Sequence, residues 1–185
     1  VHDGLARHRQ LAIAAGLDGV ELHAANGYLL GQFLNPRSNV RDDEYGGSAE
    51  NRQRYLLEVL DAVSAEIGAG RVGVRISPFN PFNDLAANYE NEETEYLDLV
   101  REFAKRNIAY LHVIATPGAV PDSSVQAIRS AFPGALMLAG DFNRERAEVA
   151  LSSGIADLIA FGRPFIGNPD LPTRLLKNIA LNAFN

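Results

Sequence analysis

Ala135-Leu136-Met137-Leu138-Ala139 is apolar at every position. A strand with one wet face alternates apolar and polar residues. A strand covered on both faces has no need to, and parallel sheets are covered on both faces. Four more runs of strand length accompany it: Gly19-Val20-Glu21-Leu22, Val72-Gly73-Val74-Arg75-Ile76, Tyr110-Leu111-His112-Val113-Ile114 and Asp157-Leu158-Ile159-Ala160-Phe161. Most of them also lack clean alternation, so five buried parallel strands are predicted.

Helical spacing fills the intervals. Leu56, Val59, Val63 and Ile67 recur at helical steps, as do Tyr96, Val100 and Phe103. The second of these helices opens on Glu92, Glu93 and Glu95 and closes on Lys105 and Arg106. That charge order suits the helix dipole at both ends, and Asn91 is the expected N-cap. Val125, Ile128 and Phe132 predict a short helix ended by Pro133-Gly134, and Ala147, Ala150 and Leu151 predict another closed by Gly154. Leu5, Ala12 and Ala15, ahead of Gly16, predict an opening helix. The Gly- and Asn-rich stretch 26–47 is expected to be a long functional loop.

A helix followed by repeated strand–helix units implies right-handed crossovers and one parallel sheet. The strands alone leave two architectures open, a doubly wound sheet and a (β/α)8 TIM barrel. No G-x-G-x-x-G follows a strand, which weakens the dinucleotide-binding version of the first. A whole barrel takes about 250 residues, so five of eight strands in 185 residues make an incomplete one.

Composition narrows the function. Apolar residues make up 46% and charged residues 22%, which is ordinary for a globular domain. The net charge of −6 argues against a nucleic-acid partner, which calls for a basic face. Without cysteine there are no disulfides, thiolate metal sites or cysteine nucleophiles. No stretch approaches the roughly 18 uninterrupted apolar residues of a membrane helix. The first residues have no signal-peptide shape and no initiator Met, so a cytoplasmic protein with its native start missing is expected.

In parallel α/β folds the chemistry gathers at the carboxyl ends of strands. His23, Asn26 and Tyr28 follow the first run. Arg75 lies in the second, which continues into Ser77-Pro78-Phe79, and His112 lies in the third. Gly140-Asp141 follows the fourth and Gly162-Arg163 the fifth. The last two pairs suit an anion: glycines let backbone N–H groups approach it, and an arginine adds a forked donor. Turn glycines and a surface ion pair explain them equally well. His23 and Asn26 can both donate to one oxygen, and the Tyr28 phenol can act as a general acid. Taken alone, Tyr28 is read more simply as packing and His23 as a satisfied buried histidine. Arg75 needs an anionic partner, because burying an unpaired charge is costly. That partner is either a carboxylate such as Glu21 or a cofactor that becomes negative on reduction. Asn51, Arg52 and Arg54 are expected to brace the loop before a helix, His2 and His8 to face solvent, and His112 to belong to the core. Asp42, Asp43 and Glu44 cluster without metal-ligand spacing.

Four stretches together resemble the Old Yellow Enzyme family of flavin-dependent ene-reductases. They are Gly19-Val20-Glu21-Leu22-His23-Ala24-Ala25-Asn26-Gly27-Tyr28-Leu29-Leu30, with Gln32-Phe33-Leu34 and Asn39 after it; Arg41-Asp42-Asp43-Glu44-Tyr45-Gly46-Gly47-Ser48-Ala49-Glu50-Asn51-Arg52-Gln53-Arg54; Val74-Arg75-Ile76-Ser77-Pro78; and Phe161-Gly162-Arg163-Pro164-Phe165-Ile166-Gly167-Asn168-Pro169-Asp170-Leu171. The resemblance covers nearly the whole chain in the family's order. It looks nearest to the bacterial and fungal ene-reductases and nitroester reductases.

The resemblance implies that residues 1–185 are the C-terminal part of one FMN-binding barrel. NAD(P)H would reduce the flavin, which would pass hydride to the β-carbon of an activated alkene, an enone or a nitroalkene. His23 and Asn26 match the residues that bind the substrate oxygen, and Tyr28 matches the one that protonates the α-carbon. Arg75 matches the arginine beside the flavin's pyrimidine edge. Gly140, Asp141, Gly162 and Arg163 match the phosphate cradle. About three family strands ahead of the first run, and a tail after the last, have no counterpart here. Asp141 stands where many relatives carry an uncharged residue, so its side chain is expected to point away and only its N–H to serve the phosphate. The alternative is a truncated, inactive fragment that cannot bind FMN alone. Other FMN barrels, the dihydroorotate dehydrogenases and dihydrouridine synthases, fit less well because many use a cysteine or a basic surface.

Overall fold

The computed structural model describes residues 11–183. Five strands form one sheet: β1 (Val20–Ala24), β2 (Val72–Ile76), β3 (Tyr110–Ile114), β4 (Ala135–Ala139) and β5 (Leu158–Ile159). Their order is β1-β2-β3-β4-β5 and every pair is parallel. Seven helices accompany them among the described residues: α1 (Leu29–Leu34), α2 (Ala49–Ile67), α3 (Glu92–Lys105), α4 (Asp122–Ala131), α5 (Arg144–Ser152), α6 (Pro164–Gly167) and α7 (Leu171–Lys177). Residues 11–14 are also helical and include Ala12 of the expected opening helix. Leu5, His2 and His8 lie outside the described residues.

Strand order resolves the choice that the sequence leaves open. Each new strand adds beside the last and the order never reverses, so the sheet has no switch point of the doubly wound kind. Right-handed crossovers then carry the helices between strands to the same face. Burial follows that division. Leu22, Ala24, Val74, Ile76, Leu111, Val113, Leu136 and Leu138 are buried in one core with Leu56, Val59, Leu60, Val63, Leu99, Val100, Phe103 and Ile128 of the helices. The residues between them on the strands, Glu21, His23, Arg75 and His112 among them, share the other face. His23 sits beside Arg75 and Arg75 beside His112 in the register.

Three local expectations need correction. The stretch 26–47 is not all loop: it holds α1, six residues long and too short to show a period. Asn91 stands before α3 but does not cap it. Its φ of 65° is left-handed and its side chain makes no capping bond. Phe132 lies just past α4 as its C-cap residue, buried in the core.

The brace around α2 forms as expected. Ser48 Oγ accepts the Asn51 N–H at 3.2 Å. Arg52, only 5% exposed, donates to the carbonyls of Leu34 (Nε, 2.9 Å) and Gly47 and to the Glu95 carboxylate. Asn51 reaches the Gly46 carbonyl and Arg54 the Glu44 carbonyl. In the acidic cluster, the Asp43 carboxylate is taken by Arg41 and by the Tyr45 N–H.

Candidate active site

The carboxyl ends of β2 to β5 open onto a cleft of about 670 Å3. Six expected site residues line it: Asn26, Arg75, Gly140, Asp141, Gly162 and Arg163. His23 and Tyr28 do not line it. His23 adjoins Arg75 in the register, and the His23 and Tyr28 rings lie 4.9 Å apart. Tyr28 is 53% exposed.

His23 has a defined chemical state. Burial, then the nearby Arg75 charge, hold its pKa below the usual imidazole value, so the ring is neutral at pH 7. The Ala25 N–H donates to its Nδ1 at 3.4 Å, a long bond but one that makes Nδ1 the acceptor. The single ring proton is then on Nε2, where it can be offered to a ligand oxygen.

Arg75 is not paired with Glu21, the bland partner that the sequence suggested. The Glu21 carboxylate meets His112 Nδ1 at 2.9 Å and the Tyr110 hydroxyl as well. Burial pushes the Glu21 carboxyl up, but the His112 bond and charge, Tyr110 and Arg75 together bring it below its ordinary value. The same carboxylate, with burial as the larger cause, pushes the Tyr110 phenol up to about 12. His112 is buried as expected, though on the polar face of the sheet. Meanwhile Arg75 Nε is buried without a hydrogen-bond partner, and so is His112 Nε2. A buried guanidinium N–H with nothing to donate to is the costly situation, and this one belongs to a residue that lines the cleft.

The glycines after β4 and β5 shape the opposite wall. Gly140 has a φ of 116°, and a Cβ there would come within 2.8 Å of the Thr116 backbone nitrogen, so the turn needs glycine. Asp141 follows with a φ of 50° and is exposed. Its carbonyl accepts from Arg146 Nη1 at 2.7 Å, and the Arg146 guanidinium lies 4.8 Å from the Phe142 ring centre. At Gly162 a Cβ would meet nothing within 4 Å, leaving the backbone open to a ligand.

The sequence reading named Ser77 at the end of β2 but missed Asn80 and Asn83 of the loop that follows. Ser77, Asn80 and Asn83 all bond to Asn26. A Ser-Pro-Phe-Asn-Pro-Phe-Asn string directly after a strand was the available signal. A second groove, of about 630 Å3, is lined by Val125, Leu138, Phe142 and Val149 among others and holds none of the expected residues. Among the described residues no cluster of His, Cys, Asp or Glu could hold a metal, and no helix is long and apolar enough to cross a membrane.

One parallel sheet with its strands in chain order, helices on one face and a polar cleft at the carboxyl ends defines the β/α-barrel class. Residues 5–182 match the model of the NADH:flavin oxidoreductase / NADH oxidase family, and the chain belongs to that family. It is 43% identical to 12-oxophytodienoate reductase 2 of Arabidopsis thaliana over 180 residues, covering 94% of this chain and 48% of that protein. It is 40% identical to 12-oxophytodienoate reductase 1 of Oryza sativa subsp. japonica, covering 99% and 50%. Solved morphinone reductase superposes on all of this chain with a TM-score of 0.93 at 40% identity, over 50% of its own length. The old yellow enzyme homologue from Zymomonas mobilis gives a TM-score of 0.90 at 38% identity, over 98% of this chain and 52% of that one. The chain thus spans about half the length of the curated relatives it matches. Its five strands are an incomplete (β/α)8 barrel of the Old Yellow Enzyme kind.

Proposed function

We propose that this chain is the C-terminal half of an FMN-dependent ene-reductase that acts on enones or nitroalkenes with NAD(P)H as reductant. The observation that carries the reading is the orphaned Arg75 Nε, in a cleft shared with Gly140, Gly162 and Arg163. The family description names flavin and NADH, and morphinone reductase has been solved in complex with tetrahydroNAD. The names of the plant relatives specify reduction of an oxophytodienoate.

The donor set fits FMN. Arg75 would face the end of the isoalloxazine that gains negative charge. The Gly140, Asp141 and Gly162 backbones and the Arg163 guanidinium would hold the phosphate. When bound, FMN supplies hydride acceptance and delivery. The remaining work belongs to the protein. The Nε2–H of neutral His23 and the Asn26 amide N–H groups donate to the substrate oxygen and draw electron density from the alkene. Tyr28, next to His23 and reachable from solvent, donates a proton to the α-carbon.

The test uses the full-length protein loaded with FMN. It should oxidise NADPH on addition of 2-cyclohexenone, and Tyr28→Phe should slow alkene reduction at least tenfold while flavin reduction changes less than twofold. Equal slowing of both half-reactions would remove the proton-donor role, and a protein that cannot be reconstituted with FMN would remove the whole reading. The half-length match also favours a second reading, in which this chain on its own is an inactive fragment. The visible spectrum of the isolated chain after incubation with FMN separates the two.

A further inference from the structure

Asn26 is held at three points by the loop that follows β2. Its N–H donates to Ser77 Oγ at 2.8 Å, its carbonyl accepts from Asn83 Nδ2 at 2.8 Å, and its side-chain Oδ1 accepts from Asn80 Nδ2 at 2.9 Å. The last of these bonds decides what the residue can do. The two ends of a carboxamide have nearly the same shape, so only the partners determine which end faces where. Here the direction has a fixed origin. The Phe82 backbone N–H can only donate, and it donates to Asn80 Oδ1 at 2.9 Å. Asn80 is thereby committed to donating through Nδ2, and Asn26 to accepting through Oδ1. The Nδ2 hydrogens of Asn26 are left for the cleft, which both asparagines line.

We propose that Asn80 is a positioning residue that turns the Asn26 amide donor-end toward the cleft, so that the site selects substrates presenting an oxygen acceptor and no hydrogen at that point. This rests on the reading that Asn26 binds the substrate oxygen. It adds to that reading the device that fixes the amide's polarity. A ketone or nitro oxygen satisfies the exposed N–H groups. A group with donors alone leaves them unpaired, and unpaired buried polar groups are what make a hydrogen-bonding site selective.

Two substitutions separate positioning from simple loop support. Asn80→Asp keeps an acceptor for the Phe82 N–H but turns an oxygen toward Asn26. The Asn26 amide must then rotate to donate, and it shows Oδ1 to the cleft. Asn80→Ala removes both bonds and leaves Asn26 free to turn. The probes are 2-cyclohexenone, which only accepts, and cyclohex-1-enecarboxamide, which accepts and donates. Both are titrated into the FMN-loaded full-length protein. Asn80→Asp should weaken the enone at least tenfold and the carboxamide less than threefold, with Asn80→Ala between it and the wild type on the enone. Loop support alone predicts the opposite order, with Asn80→Asp milder than Asn80→Ala on both ligands. That order, or equal losses for the two ligands, overturns the inference and leaves the proposed function standing. A wild-type protein that takes up FMN but binds neither ligand ends both. If a variant fails to fold, the wild type still decides: the enone should shift the side-chain amide proton signals of Asn26 and leave those of Asn80 in place, and the reverse would overturn the inference.

Discussion

Gly73 shows how one missing side chain can organise several others. In the register it stands between Glu21 on β1 and Tyr110 on β3. A Cβ on Gly73 would sit 2.2 Å from the Tyr110 ring, so the ring lies across β2 in the space that glycine leaves. Along that path the Tyr110 hydroxyl reaches the Glu21 carboxylate. Gly73→Ala should therefore evict the ring rather than move the sheet. Losing a partly exposed hydrogen bond to a charged acceptor costs about 1 kcal/mol, and the gain in strand propensity of about 0.5 kcal/mol over glycine only partly offsets it. In a Tyr110→Ala background the same change should turn neutral or stabilising, because nothing is left to displace. Urea midpoints of the two single variants and the double variant test this, and additive effects would contradict it. The sequence leaves Arg75 two partners, a carboxylate such as Glu21 or a cofactor that becomes negative on reduction. It carries no sign that Tyr110 and His112 claim the carboxylate first, since that depends on a gap three strands wide. By contrast, part of the cleft lining was legible, namely Asn26, Arg75, Gly140, Asp141, Gly162 and Arg163, because strand ends in a parallel sheet converge wherever the strands are correctly placed.

At the scale of elements, the loop from β2 to α3 is pinned by a residue whose role the sequence disguises. Glu92 reads as one of three acids that favour a helix N-terminus. In the structure it is buried and accepts the Phe79 N–H on Oε1 at 2.7 Å and the Asn88 N–H on Oε2 at 2.6 Å. It thus clasps both ends of the segment that supplies Asn80 and Asn83, and it holds Phe79 at a left-handed φ of 59°. Asn91 was the expected cap because side chains of its type usually cap helices. The chain instead enters α3 through a left-handed turn that carries the Asn91 side chain away, with the Glu92 N–H bonded to the Tyr89 carbonyl at 3.2 Å. Burial raises the Glu92 carboxyl above its ordinary value of 4.5, more than its backbone bonds lower it. A raised folded pKa adds stability that is whole below pH 4.5 and fades as pH climbs through the folded value. Glu92→Gln should therefore cost more at pH 4 than at pH 7.5. The variant loses one of two acceptors at every pH, while the wild type loses its proton-linked advantage as pH rises. Urea unfolding of the full-length protein at both pH values measures the gap, and a gap that widens with pH would show that the backbone bonds outweigh burial.

For the whole molecule, the five runs of apolar residues located the sheet because a buried parallel strand must be apolar along its length. Three of the runs, 72–76, 110–114 and 135–139, coincide with strands end to end, while the last shrinks to Leu158–Ile159. Order within the sheet was not legible, since the same strands and helices serve either an open sheet or a barrel until pairing is known. The pairing leaves β1 and β5 at the two edges. The edges differ in kind: β1 offers five residues of backbone and β5 two. An unpaired edge is a template for another strand, and a longer edge is a better one. In an eight-stranded barrel both edges are paired, so only the isolated chain exposes them. The 185-residue chain alone should therefore self-associate as its concentration rises, chiefly through β1, and should hold FMN far more weakly than the full-length protein. A lysine in place of Leu22 would break the core and prove nothing, because Leu22 points into it. Val20→Pro is the better probe, at the first strand position and only partly buried, where proline shortens the edge. Sedimentation velocity should show the wild-type chain forming dimers or larger species and Val20→Pro shifting toward monomer. A wild-type chain that stays monomeric at every concentration, and binds FMN as tightly as the full-length protein, would mean that five strands close the site without help.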